Sequence, residues 1–192
     1  NMKNNIRKIS NMLVFFVLVG SVFSLIPLVS ADEPISEPIR VTYDSDGYTL
    51  VGHLFLPDDY EEGEQYPAIV VTRPASGVKE QTAGIYAQNL STKGFVTIAF
   101  DPKGYGESEG RPQNEDAFSV ISDSRNTLEY MLTRPEVDPD NLFHMGICMG
   151  TGYATAAAAG DSRIKGVAQV SPIVMEPMFD RMPFRNFFRL LN

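Results

Sequence analysis

Gly146-Ile147-Cys148-Met149-Gly150 is the stretch of this chain best suited to chemistry. It holds the only cysteine in 192 residues, set between two glycines. An apolar run, Leu142 to Met145, precedes it, and a run of small residues, Gly152 to Ala159, follows. Strand, sharp turn and helix is the layout that lifts a nucleophile to the top of a sheet. The turn forces the nucleophile into a strained backbone, so the residues two away must lack bulk, as Gly146 and Gly150 do. The free N–H groups at the helix start favour a thiolate and offer donors to a developing oxyanion. Met149 N–H is the first such donor. The bare five-residue pattern is weak evidence, since average composition produces it by chance in roughly one chain in fifteen of this length. The other reading of Cys148 is a buried structural thiol.

The elements around the motif sharpen it. Ile39–Tyr43 and Tyr48–Phe55 alternate apolar and polar residues about Asp44-Ser45-Asp46-Gly47, the pattern of an antiparallel hairpin. Ala68–Val71 and Phe95–Phe100 are short apolar runs of the kind buried on both faces of a sheet. Helical spacing spans Gln81–Lys93, with Ile85, Tyr86 and Leu90 on the apolar side and Gly94 as the stop. A second helix is expected over Phe118–Thr133, amphipathic, with Phe118, Ile121, Leu128 and Met131 on or near one face. Leu142–Gly146 reads as a third buried strand, Met149–Ala159 as a helix and Ile164–Val170 as a fourth strand. This alternation predicts an α/β fold: a mostly parallel sheet with helices on both faces and the hairpin at one edge.

Three loops in order carry a family resemblance. They are the Gly146–Gly150 elbow, the Thr72-Arg73-Pro74-Ala75-Ser76-Gly77-Val78 loop after the first buried strand, and Asp101-Pro102-Lys103-Gly104-Tyr105-Gly106-Glu107-Ser108 after the second. From about Ile39 to Val174 the chain resembles an α/β-hydrolase of the dienelactone-hydrolase-like group, in which Cys often replaces Ser as nucleophile. The resemblance implies acyl chemistry on a small-molecule carboxylic ester or related substrate, with Cys148 as nucleophile and no cofactor. The backbone N–H groups of Met149 and Ala75 would be the oxyanion donors. Two departures stand out. Arg73 occupies a position where many relatives carry His, and Pro74 one where dienelactone hydrolases carry Glu, which argues against a dienelactone-specific activity.

In this fold a His and an acid follow the nucleophile in sequence. No His follows Cys148; the two histidines are His53 and His144. His144 is expected packed in the sheet, His53 facing solvent, and Glu176 and Asp180 as loop or lid charges. The expectation is therefore the N-terminal portion of a hydrolase domain, lacking its last strands and with little turnover as given. The alternative is a secreted, non-catalytic binding protein on the same scaffold.

The ends carry separate expectations. Lys3, Arg7 and Lys8 precede an apolar run, Met12–Val29, and a small-residue site ending at Ala31, the layout of a signal peptide over residues 1–31. The mature chain would begin at Asp32, be secreted or periplasmic, and keep no stable membrane anchor. Losing the three basic residues takes the net charge from −8 to −11. So acidic a chain is a poor partner for nucleic acid. One cysteine and two histidines argue against a zinc site, and no metal is expected. Residues 172–192 are expected to begin a lid. Within them the Phe-rich segment from Met175 offers an amphipathic helix and a surface for oligomer formation.

Overall fold

The computed structural model describes residues 37–173. The expected signal segment, the Phe-rich segment from Met175, Glu176 and Asp180 lie outside those residues.

Strands β1 (Ile39–Ser45) and β2 (Tyr48–Phe55) pair antiparallel. Asp46 (φ 52°) and Gly47 (φ 83°) form their two-residue turn. Positive φ at both positions matches the right-handed twist of the flanking strands. β3 (Tyr66–Thr72) is followed by α1 (Thr82–Ser91), β4 (Val96–Asp101) and α2 (Ala117–Leu132). β5 (Val137–Ile147), α3 (Gly150–Ala158) and β6 (Ile164–Val170) complete the described order. Gly94, at φ 87°, turns the chain after α1, as its position predicts. Asp116 caps α2 by accepting from the Phe118 N–H.

The sheet runs β1-β2-β4-β3-β5-β6. The pairs β3–β4, β3–β5 and β5–β6 are parallel, and β2 joins β4 antiparallel. After β3 the chain steps to β4 on one side and then to β5 on the other. That reversal makes the carboxyl ends of β3 and β5 the crevice where such sheets bind ligands. Thr72 and Gly146 are register partners there.

One face carries Leu50, Leu54, Val70, Ile98, Phe100 and Leu142 against Leu128 and Met131 of α2. The other carries Ile69, Val71, Ala99, Met145 and Ile147 against Ala83 and Ala87 of α1. α3 packs on α2 through Val120, Ile121, Tyr153 and Ala157. The expected helices on both faces and edge hairpin are therefore present.

Two side-chain expectations fail. Ile85 is 59% exposed, and α1 instead presents Ala83, Gly84 and Ala87 to the core. The cause is close approach: α1 lies so near β4 that the Thr97 hydroxyl donates to the Ala87 carbonyl at 2.8 Å. Small residues line such a contact and large apolar ones move to its margin. Phe118 is likewise 58% exposed, because the α2 face that packs runs through Val120, Ser124 and Thr127. β5 also begins earlier than its apolar run, at Val137, with exposed Pro139–Asn141 inside it.

Candidate active site

β5 ends at Ile147 and α3 begins at Gly150, so Cys148 and Met149 form the whole turn. Cys148 has φ 55°, a left-handed conformation that costs a non-glycine residue. Both its peptide groups are used: its N–H donates to the Val170 carbonyl at 2.9 Å, and its carbonyl accepts from Thr151 N–H and Oγ1. A Cβ on Gly146 would lie 2.3 Å from the Gly150 carbonyl oxygen. One on Gly150 would lie 2.4 Å and 2.5 Å from the carbonyl oxygens of Arg73 and Thr72. The glycines are thus required by backbone against backbone, and the second contact brings the loop after β3 against the start of α3. Cys148 itself is half-buried and packs beside the cluster containing Met145, Ile147 and Val71.

The loop after β3 is not a surface turn at its base. Thr72 and Arg73 are fully buried, and Arg73 is among the largest fully buried side chains. Its guanidinium donates to both Glu115 oxygens, Nη1 to Oε1 at 3.2 Å and Nη2 to Oε2 at 3.1 Å. It also donates to the Pro74 carbonyl at 2.8 Å and lies 4.2 Å over the Tyr105 ring centroid. Glu115 accepts further bonds from the Ser76 N–H at 3.1 Å and the Tyr153 hydroxyl at 3.2 Å. Burial pushes the Glu115 carboxyl up, but the guanidinium and the other donors bring it below the usual carboxylate range. Pro74 to Gly77 is a β-turn closed by Gly77 N–H to Pro74 oxygen at 3.1 Å. Positive φ at Ser76 (57°) is the type II arrangement. Among the described residues, neither the Ala75 nor the Met149 N–H has a hydrogen-bond acceptor.

A second polar cluster anchors the other side of that loop. Lys79, fully buried, donates from its backbone N–H and its ammonium to the two Asp101 oxygens, both at 2.8 Å. The same ammonium meets Glu80 at 2.5 Å and Glu107 at 2.7 Å. Burial pulls the Lys79 pKa down, and bonds to Asp101, Glu107 and Glu80 overcome this and raise it. The Lys79 ammonium holds Glu107 down at about 2. Gly106 lies so close to Asp101 that a Cβ would sit 2.0 Å from Oδ2. The Asp101 to Ser108 stretch therefore wraps its own aspartate, and Ser108 Oγ donates back to the Asp101 carbonyl at 2.6 Å.

His144 is fully buried, with Nε2 2.8 Å from Thr72 Oγ1, and burial takes its pKa down to about 3. It is packed in the sheet, as expected. His53 departs from expectation: it is half-buried, 3.9 Å from Glu80, and burial with the nearby Lys79 ammonium lowers its pKa. Ligand atoms of His53, Glu80 and Glu107 lie within 4.8 Å of one another, spacing that could hold a cation. Sequence reading missed this trio because its members come from three separate elements. The Lys79 ammonium already bonds both carboxylates, so the donor set is that of an internal ion cluster and fits a metal poorly.

A parallel-centred sheet with helices on both faces and a strained elbow at the switch point defines an α/β-hydrolase. A family model described as serine aminopeptidase, S33, matches residues 76–191, and the chain belongs to that family. The residue on this chain's elbow is Cys148 rather than a serine. The chain is 43% identical over 132 residues to the uncharacterized protein YcjY of Escherichia coli K12, covering 68% of this chain and 43% of that protein. It is 30% identical over 130 residues to the thiohydrolase aneE of Aspergillus aculeatus, covering 67% of this chain and 39% of that one. The crystal structure of hypothetical protein PA2218 from Pseudomonas aeruginosa superposes with a TM-score of 0.71 at 34% identity, covering 82% of this chain and 51% of that one. The chain thus spans about half or less of the length of these relatives.

Proposed function

We propose that this chain carries the nucleophile and oxyanion donors of an acyl hydrolase acting on small carboxylic esters or thioesters. The observation that carries the reading is Cys148 at φ 55° between a strand and a helix, with Met149 and Ala75 N–H groups on the two adjoining loops that have no acceptor among the described residues. The kinship to a protein named as a thiohydrolase supports the acyl class.

In this reading the Cys148 thiolate attacks the carbonyl carbon, and its thiol proton goes to solvent base. An S–C bond forms, and negative charge moves to the carbonyl oxygen, where the two N–H groups receive it. Collapse breaks the bond to the leaving oxygen or sulfur, which takes a proton from water. The acyl group remains on Sγ as a thioester. Water must then be activated to release it. His144 is buried on Thr72 and His53 sits on Glu80, so neither serves Cys148 as a base. The chain as given should acylate once and turn over little.

The test is p-nitrophenyl acetate with intact-mass detection. The expected result is one acetyl group per chain, on Cys148, absent from Cys148→Ala. Equal adduct on both proteins would sink the nucleophile assignment. Export is a second part of the proposal, resting on Lys3 to Ala31. Expressed with an intact N-terminus in a bacterium, the protein should leave the cytoplasm with Asp32 as its first residue, read by N-terminal sequencing. A cytoplasmic product that retains residues 1–31 would overturn it.

A further inference from the structure

The buried Arg73–Glu115 pair brackets Ala75. Arg73 Nη1 donates to the Pro74 carbonyl oxygen, and that carbonyl belongs to the same peptide unit as the Ala75 N–H. A trans peptide is planar, so a donor that fixes the C=O on one side fixes the N–H direction on the other. The Gly77 N–H donates to the same oxygen at 3.1 Å. Two donors on one carbonyl polarise the amide and strengthen its N–H as a donor in turn. On the far side of Ala75, Glu115 Oε2 holds the Ser76 N–H at 3.1 Å. Of the two successive amides, the Ser76 N–H is consumed by Glu115, and the Ala75 N–H has no acceptor among the described residues.

Tyr153 of α3 donates to the same carboxylate at 3.2 Å. The helix that begins at the elbow and the loop that carries Ala75 are therefore held on one carboxylate. Arg73 itself is fully buried, with its guanidinium over the Tyr105 ring.

We propose that Arg73, clamped by Glu115, is a positioning residue that orients and polarises the Pro74–Ala75 amide as an oxyanion donor. This rests on the acyl-transfer reading of Cys148. It also gives the departure from His at this position a physical role: a guanidinium can hold Glu115 with two donors while a third bond reaches Pro74.

The test separates two reactions of the same thiol on the full chain. Acylation of Cys148 by p-nitrophenyl acetate passes through an oxyanion. Alkylation by iodoacetamide displaces iodide and does not. Arg73→Lys keeps the charge but loses the fork. It should slow acylation by about ten- to a hundredfold, with alkylation unchanged within about twofold. Glu115→Gln, which keeps the shape and a bond to Arg73, should show the same selectivity with a smaller loss, and it serves if Arg73→Lys folds poorly. Ala75→Pro removes the N–H at a turn position that accepts proline, and in that background Arg73→Lys should cost nothing more. Equal losses in both reactions, no loss in either, or a full further loss in the Ala75→Pro background would each overturn the role of Arg73. Failure of the unaltered chain to acylate on Cys148 would overturn the acyl-transfer reading, and this inference with it.

Discussion

Cys148 at φ 55° is held there by bonds on both sides, from Val170 and from Thr151. Strain of this kind persists only where surrounding structure over-determines it. His144 is the buried group behind the same strand end, tied through Thr72 and Ser124 to α2. Its pKa falls to about 3 because a charged ring would be desolvated. An unfolded chain binds a proton there near 6.5 and the folded chain does not. Stability is therefore whole above pH 6.5 and declines as pH falls towards 3, by up to roughly 1.4 kcal/mol per pH unit from this group. Urea melts at pH 7 and pH 4 should show the effect. His144→Asn, which keeps a polar partner for Thr72, should lose less stability between those two pH values than the unaltered chain does. An identical acid loss in both would exclude His144 as its source.

At the scale of elements, the glycines around the elbow divide by what they touch. A Cβ on Gly150 meets the carbonyl oxygens of Thr72, which ends β3, and of Arg73 just after it, whereas one on Gly152 meets nothing within 4 Å. Gly150→Ala should cost roughly 1–3 kcal/mol by overpacking. Gly152→Ala, in the first turn of α3 with open space around it, should stabilise by up to roughly 0.5–1 kcal/mol. Urea midpoints of the two variants should move in opposite directions, and a shared direction would refute the close approach of α3 to β3. The elbow glycines were legible in the sequence because their spacing states a steric need. So were the strands, since Ala68–Val71 and Phe95–Phe100 have the continuous apolar character of doubly buried β. The packed face of α1 was not. Spacing counts large apolar residues, and this helix approaches the sheet through Ala83, Gly84 and Ala87. The polar clusters were equally hidden. Arg73 and Glu115 are 42 residues apart, and Lys79 and Asp101 are 22 apart. Only the fold makes them neighbours.

Across the molecule, Lys79 and Asp101 tie the segment leading into α1 to the end of β4 and to the loop that returns through Glu107 and Ser108. Three carboxylates converge on one ammonium, and two of the four residues are fully buried. Such a cluster contributes little net stability when intact, because desolvation offsets attraction, but removing one partner strands the others. Lys79→Met should therefore cost about 3–5 kcal/mol, since Asp101 would be left buried beside Glu80 and Glu107 without a counter-charge. The double variant Lys79→Met with Asp101→Asn should recover part of that loss, because the stranded charge is gone while the amide can still accept the Glu107 N–H. Chemical denaturation of the unaltered chain, Lys79→Met, Asp101→Asn and the double variant gives the coupling directly. Strict additivity of the two single losses would show that Lys79 and Asp101 act independently, and that the loops after β3 and β4 are held by something other than this pair.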